Sequence, residues 1–212
     1  MHIVIPVFEA LTALDAVGPY EVLQRLPGAT VTFAGHEAGP VRTENGFLGV
    51  LADTTFEDAG QPDVVVVPGG IGTRALLEDE RLLGWLRDVH AGSRFTTSVC
   101  TGSLLLAAAG LLDGLTATTH WGARDVLRRL GAEPVAERVV EHLDRRIITA
   151  AGVSSGIDMA LRLSELLVDR TAAEAMQLMI EYDPQPPTSV GRIELAGEDV
   201  LARVAAYSED KR

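Results

Sequence analysis

Cysteine occurs once in this chain of 212 residues, so no disulfide can form within it. Aromatic residues make up only 5%. A core must therefore be built from Leu, Val, Ile and Ala, with 21 glycines available for tight turns. Basic residues are outnumbered, 18 against 30 acidic ones, for a net charge of −12. Such a surface repels phosphate backbones, and no basic stripe offsets it, which argues against nucleic acid as a partner. Long apolar runs are missing too. LLLAAAGLL at 104–112 falls well short of a membrane crossing, so no membrane partner is expected. The opening MHIVIPVFEALTALD has neither the basic start nor the extended apolar stretch of a secretory signal. With one thiol and no disulfide, the expected setting is cytoplasmic.

Other signatures are absent as well. PGGIGTRALL, residues 68–77, lacks the G-x-G-x-x-G spacing of a dinucleotide fingerprint. GVSSG at 152–156 is not a G-x-S-x-G nucleophile elbow. His2, His36, His90 and His142 are scattered without ligand spacing, which excludes a structural zinc site. The expectation is an enzyme or binding domain with no metal and no cofactor.

What is present is a 47% hydrophobic chain with strands and helices in alternation. His2–Phe8 reads as a strand, and a helix is expected to start near Pro19, where a missing N–H costs little. Glu44-Asn45-Gly46 between apolar segments predicts a hairpin. The four valines at 64–67, bounded by prolines, suit a strand buried on both faces of a parallel sheet. Arg94–Ser98 is strand-like, and Ser103–Leu112 is apolar and helix-forming. Asp144-Arg145 marks a turn into Arg146–Thr149, and a helix is expected over Gly156–Leu167. A second helix is expected from Thr171, with Glu174 completing a capping box. DPQPPTS at 183–189 reads as an extended segment before a last helix at Asp199–Tyr207. The pattern predicts an α/β fold, doubly wound, with a mostly parallel sheet flanked by helices.

The sharpest local feature is FTTSVCTGSLLLAAAGLL, residues 95–112, where a strand stops at Cys100 and a helix starts within two residues. Open parallel sheets present functional groups at the carboxyl ends of their strands. A thiol there sits beside unpaired backbone N–H groups, which favour thiolate and lower its pKa. A small buried apolar Cys is the alternative. Asp15 stands at the same expected sheet edge, either as a helix cap or as a proton carrier raised by desolvation. Gly69-Gly70 ends another buried strand, as a tight turn or as a source of backbone donors for developing negative charge. Thr101 either bonds near the sulfur or simply opens the helix. His120 is a possible pocket residue or a packing one.

These segments together resemble the DJ-1/PfpI superfamily, and within it the isocyanide hydratase branch. The resemblance is carried by LDAVGPYEVL at 14–23, DVVVVPGGIGTRALL at 63–77, TSVCTGSLLLAAAGLLDGLTATTHW at 97–121 and AGVSSGIDMALRL at 151–163. It implies a catalytic domain over residues 1–182. Residues 183–212 would form an extension packed on that domain or on a dimer interface. It further implies a homodimer, a strained strand-to-helix turn at Cys100 as nucleophile, and Asp15 as acid/base where many relatives carry glutamate. Gly70 would supply a backbone donor near the sulfur, with Gly152 and Val153 approaching the pocket. Thr101, in place of the alanine or histidine of other branches, is similar to the hydratases. The implied substrates are a small apolar isocyanide and water, giving a formamide. A glyoxalase-like thiol enzyme, a ligand-sensing module and a redox sensor are the competing readings. No helix-turn-helix follows in this sequence, which disfavours direct DNA regulation.

Overall fold

The computed structural model describes residues 1–209; the last three residues of the expected extension lie outside them. Among the described residues eleven strands are formed: β1 (His2–Pro6), β2 (Thr30–Gly35), β3 (Gly39–Arg42), β4 (Gly49–Ala52), β5 (Thr54–Thr55), β6 (Val64–Val67), β7 (Phe95–Val99), β8 (Thr116–Ala117), β9 (Glu133–Pro134), β10 (Val139–His142) and β11 (Ile147–Ala150). The helices are α1 (Ala13–Leu23), α2 (Glu80–Gly92), α3 (Gly102–Ala108), α4 (Arg124–Arg129), α5 (Ser155–Leu167), α6 (Arg170–Met179) and α7 (Glu198–Glu209). Among the described residues, no helix is long and apolar enough to cross a membrane.

The main sheet runs β10-β11-β7-β6-β1-β2-β5. Every neighbouring pair is parallel except β10 with β11. This is the expected mostly parallel α/β architecture. The chain leaves β1 toward β2 and β5, then returns to β6 on the other side. The carboxyl ends of β1, β6 and β7 thus surround the place where strand order reverses, where open α/β sheets put their sites. The valine run behaves as its composition demands. All four valines of β6 are fully buried, between β1 on one edge and β7 on the other.

Two compact units are present, Met1–Ile180 and Glu181–Arg212. In the second, every described residue of α7 before Glu209 is exposed.

Several local expectations need correction. Helix α1 starts six residues before Pro19 and carries that proline inside it, leaving the Asp15 carbonyl without its usual i+4 donor. Thr12, not Asp15, holds the N-cap position, and Asp15 lies buried in the first turn. The box expected of Thr171 and Glu174 does not form. Asp169 caps α6 through Ala172 N at 2.8 Å, and Glu174 pairs with Arg170 instead. Helix α3 stops at Ala108 because Gly110 turns with φ of 77°. The Asn-Gly hairpin does form, as antiparallel β3 and β4 with Gly46 at φ of 74°.

Close glycine contacts lock together the segments that build the site. A Cβ on Gly18 of α1 would stand 3.1 Å from Ile157 of α5. One on Gly156 of α5 would meet Val99 at 2.9 Å and Pro19 at 3.2 Å. Gly84 on α2 has open space, with only Arg87 at 3.8 Å. Gly156→Ala should therefore overpack and lower stability by about 1–3 kcal/mol in denaturant unfolding. Gly84→Ala should raise it by up to about 1 kcal/mol through helix propensity. Equal effects at the two positions would contradict this packing.

Candidate active site

Three strand ends supply the site. Strand β7 ends at Val99, and Cys100 follows with φ of 57°, the left-handed region that costs an L-residue about 1–2 kcal/mol. Backbone bonds hold it there. Cys100 N donates to the carbonyls of Ala150 and Ala151, at 3.1 and 3.0 Å. Its own carbonyl accepts from Ser103 Oγ at 3.1 Å and Thr119 Oγ1 at 3.0 Å. The sulfur is almost sealed: Cys100 is 4% exposed.

Asp15 reaches the same place from α1 and is fully buried. Its Oδ2 accepts from Gly69 N at 3.0 Å, and its Oδ1 is buried without a partner at hydrogen-bonding distance. Burial pushes the Asp15 carboxyl up to about 7, because desolvation outweighs the Gly69 amide and the Cys100 thiol, which favour its charged form; Glu44 adds to the rise. Only glycine at 69 lets that amide approach. A Cβ there would stand 2.5 Å from Thr101 N and 2.9 Å from Asp15 Oδ2.

The thiol behaves differently from the sequence expectation. Amides of Val153 and Thr101 do act on the sulfur in the direction that favours thiolate. Desolvation, and then the Asp15 charge, outweigh them and push Cys100 up to about 12. Helix-end donors cannot lower the pKa of a sulfur that is both dry and beside a carboxylate. The pair therefore holds one negative charge near neutrality, and the carboxyl carries it at rest.

Gly70 has a different partner from the one the resemblance implies. Its N–H donates to Thr101 Oγ1 at 2.9 Å, and that hydroxyl donates back to Gly70 O at 3.1 Å. Thr101 thus clamps the β6 end to the β7 end, and the amides acting on the sulfur are those of Thr101 and Val153. Gly70 itself has φ of 136°, and a Cβ there would meet Ala10 O at 2.5 Å. Gly152 lies against the ring of His120, 2.8 Å from Cδ2 to a built Cβ, and Val153 follows with φ of 36°. His120 is half-buried. The structure thus draws Asp15, Gly70, Cys100, Thr101 and the Gly152–Val153 turn, with His120 against it, to one sheet edge. In the sequence Gly69 is legible only as one of a glycine pair offering backbone donors, and Thr119 only as part of the polar run before His120.

Among the described residues no three His, Cys, Asp or Glu side chains cluster as a metal site. The geometry brings together what thiol chemistry needs: a buried thiol, a carboxyl that exchanges protons near pH 7, and amides acting on the sulfur.

Known proteins share this arrangement of sequence. The chain is 45% identical over 194 residues to a Pseudomonas putida protein named isonitrile hydratase, covering 92% of this chain and 84% of the relative. It is 31% identical over 176 residues to the Parkinson disease protein 7 homolog of Danio rerio, covering 80% and 92%. A solved structure of a ThiJ/PfpI family protein from Pseudomonas syringae matches with a TM-score of 0.91 at 38% identity, covering 99% of this chain and 87% of that one. The DJ-1/PfpI family model matches residues 1–166, from the first strand through the helix behind the thiol, and the chain belongs to the DJ-1/PfpI family.

Proposed function

We propose that this chain is an isocyanide hydratase, with Cys100 as nucleophile and Asp15 as general acid and base, acting without a cofactor as a cytoplasmic homodimer. The observation that carries the reading is the Asp15 carboxyl, buried, pinned by Gly69 N and exchanging its proton near neutrality beside the Cys100 thiol. The likeness to the protein named isonitrile hydratase supports the choice of substrate.

Carboxylate Asp15 takes the thiol proton, and the thiolate attacks the terminal carbon of R–N≡C. Asp15 returns that proton to the same carbon, leaving a thioimidate, R–N=CH–S–Cys100. Water then adds to the carbon. One of its protons passes through Asp15 to nitrogen, and the other goes to Asp15 as the C–S bond breaks. The sum is R–N≡C plus water giving R–NH–CHO, with the pair's single proton restored.

Cys100→Ala should abolish formamide formation from an alkyl isocyanide, and Asp15→Asn should lower kcat/KM by at least about 10²-fold. Turnover of glyoxal-type carbonyls with no isocyanide turnover would reject the assignment.

The pH dependence follows from the pair. Below about 7 both groups are protonated and no base is available; above it one proton remains, which is the reactive form. In pH–rate measurements kcat/KM should rise tenfold per pH unit up to about 7 and then level off. A profile flat from pH 5 to 8 would contradict the assigned base.

Stability runs the opposite way. The Asp15 pKa rises on folding from 3.8 to about 7, so the folded state binds the extra proton. Its stability is full below about 4 and falls as pH rises to about 7, by roughly 4 kcal/mol in all. Asp15→Asn keeps an acceptor for Gly69 N and escapes that loss. Urea titrations should find the variant more stable than wild type at pH 8 and not at pH 4. A less stable variant at pH 8 would contradict the burial of a charge.

A further inference from the structure

Cys100 is tied down on both of its flanks, and both ties lead to one strand. On the amide side, Cys100 N donates to the carbonyls of Ala150, the last residue of β11, and of Ala151, at 3.1 and 3.0 Å. On the carbonyl side, Thr119 Oγ1 donates to Cys100 O at 3.0 Å. Thr119 is buried, and its own segment is anchored to the same strand. Thr118 N donates to Thr149 Oγ1 of β11 at 3.0 Å. One residue further back, Ala117 O accepts from Val135 N at 3.0 Å. Strand β11 is thus the frame against which the backbone of Cys100 is fixed.

Ser103 Oγ donates to the same carbonyl at 3.1 Å, but the two hydroxyls are not equivalent. Ser103 belongs to the first turn of α3 and moves with the backbone that it bonds. Thr119 lies 19 positions away along the chain and is held from outside that turn. The difference matters because Cys100 has φ of 57°, a conformation that persists only while its surroundings over-determine it. Its strain and the net worth of one hydrogen bond are similar in size, so the loss of a single bond is enough to tip the balance. Asp15 is pinned separately, by Gly69 N at 3.0 Å. A rotation of the Cys100 backbone therefore carries the sulfur away from a carboxyl that stays in place.

We propose that Thr119 is a positioning residue for the nucleophile: its hydroxyl, referred to β11, keeps Cys100 in the left-handed conformation that holds the sulfur beside Asp15. In its catalytic consequence the assignment rests on the hydratase reading and deepens it, adding a residue outside the Cys100–Asp15 pair on which attack depends. Its consequence for the backbone is independent of the substrate.

The test combines crystal structures of Thr119→Val, Thr119→Ser and Ser103→Ala with their steady-state kinetics on an alkyl isocyanide. Valine fills the threonine volume, and Cys100 O keeps Ser103 as a donor, so no buried carbonyl is left without a partner and the fold should persist. Thr119→Val should lose the positive φ at residue 100. Its kcat should fall on the order of 10–10²-fold with KM changed less than about twofold, because geometry at the reacting atoms is altered and binding is not. Thr119→Ser keeps the hydroxyl and should retain both the conformation and most of kcat. Ser103→Ala should cost less than Thr119→Val. If Thr119→Val does not melt cooperatively, Thr119→Ala carries the same expectation. A positive φ retained in Thr119→Val, an unchanged kcat, a Ser variant as slow as Val, or a Ser103→Ala variant as slow as Thr119→Val overturns the assignment while the hydratase reading stands. A wild type that turns over no isocyanide overturns the hydratase reading alone, and φ at residue 100 in the variants then decides the role of Thr119.

Discussion

One negative charge shared by a carboxyl and a thiol in a dry space is the constraint on which the rest depends. In water Asp15 would be ionised and Cys100 mostly a thiol, and no proton would move usefully between them. Burial raises both, the carboxyl to about 7 and the sulfur to about 12. The first value puts proton exchange within reach of neutral pH. The second keeps the thiol protonated at neutral pH, so that the proposed attack requires a base to take its proton. In the proposed mechanism, nucleophile activation is a transfer within the pair, not a free thiolate waiting at a helix end.

The fold's contribution is to hold three strand ends close enough to exclude water. Gly69 admits an amide to the carboxyl, Thr101 ties β6 to β7, and Gly18 and Gly156 let α1, α5 and the end of β7 approach. Strain is stored at Cys100, which bears the sulfur, and at Val153, whose amide acts on it; both are non-glycine residues with positive φ. The bonds from Cys100 N to Ala150 and Ala151, and from Ser103 and Thr119 to its carbonyl, over-determine that turn. Stability is given up at the site and recovered in the fully buried valines of β6 and the leucines of α3.

Much of this was legible in the residues themselves. Four consecutive valines between prolines announced the central strand, Asn45-Gly46 the hairpin, and the abrupt change at Cys100 the strand-to-helix junction. What stayed hidden had physical reasons. Pro19 suggests a helix start, but packing of α1 on α5 carries the helix through it. Thr171 and Glu174 match a capping box, but Asp169 two residues earlier takes the cap. At the site, residue types were readable and partners were not. The thiol pKa depends on how much water the whole fold removes, so local donors gave the wrong sign. Choosing Gly69 over Gly70 as the donor to Asp15 requires knowing which amide turns inward. Only the assembled β6 end decides that.

The central claim concerns where the charge resides in the resting pair. It is tested most directly by following the Asp15 carboxyl carbon by ¹³C NMR while thiolate absorbance is recorded on the same samples. The account predicts a carboxyl titrating near pH 7, with no thiolate signal until strongly alkaline solution. A carboxyl ionising near 4 together with thiolate already present at neutral pH would contradict it.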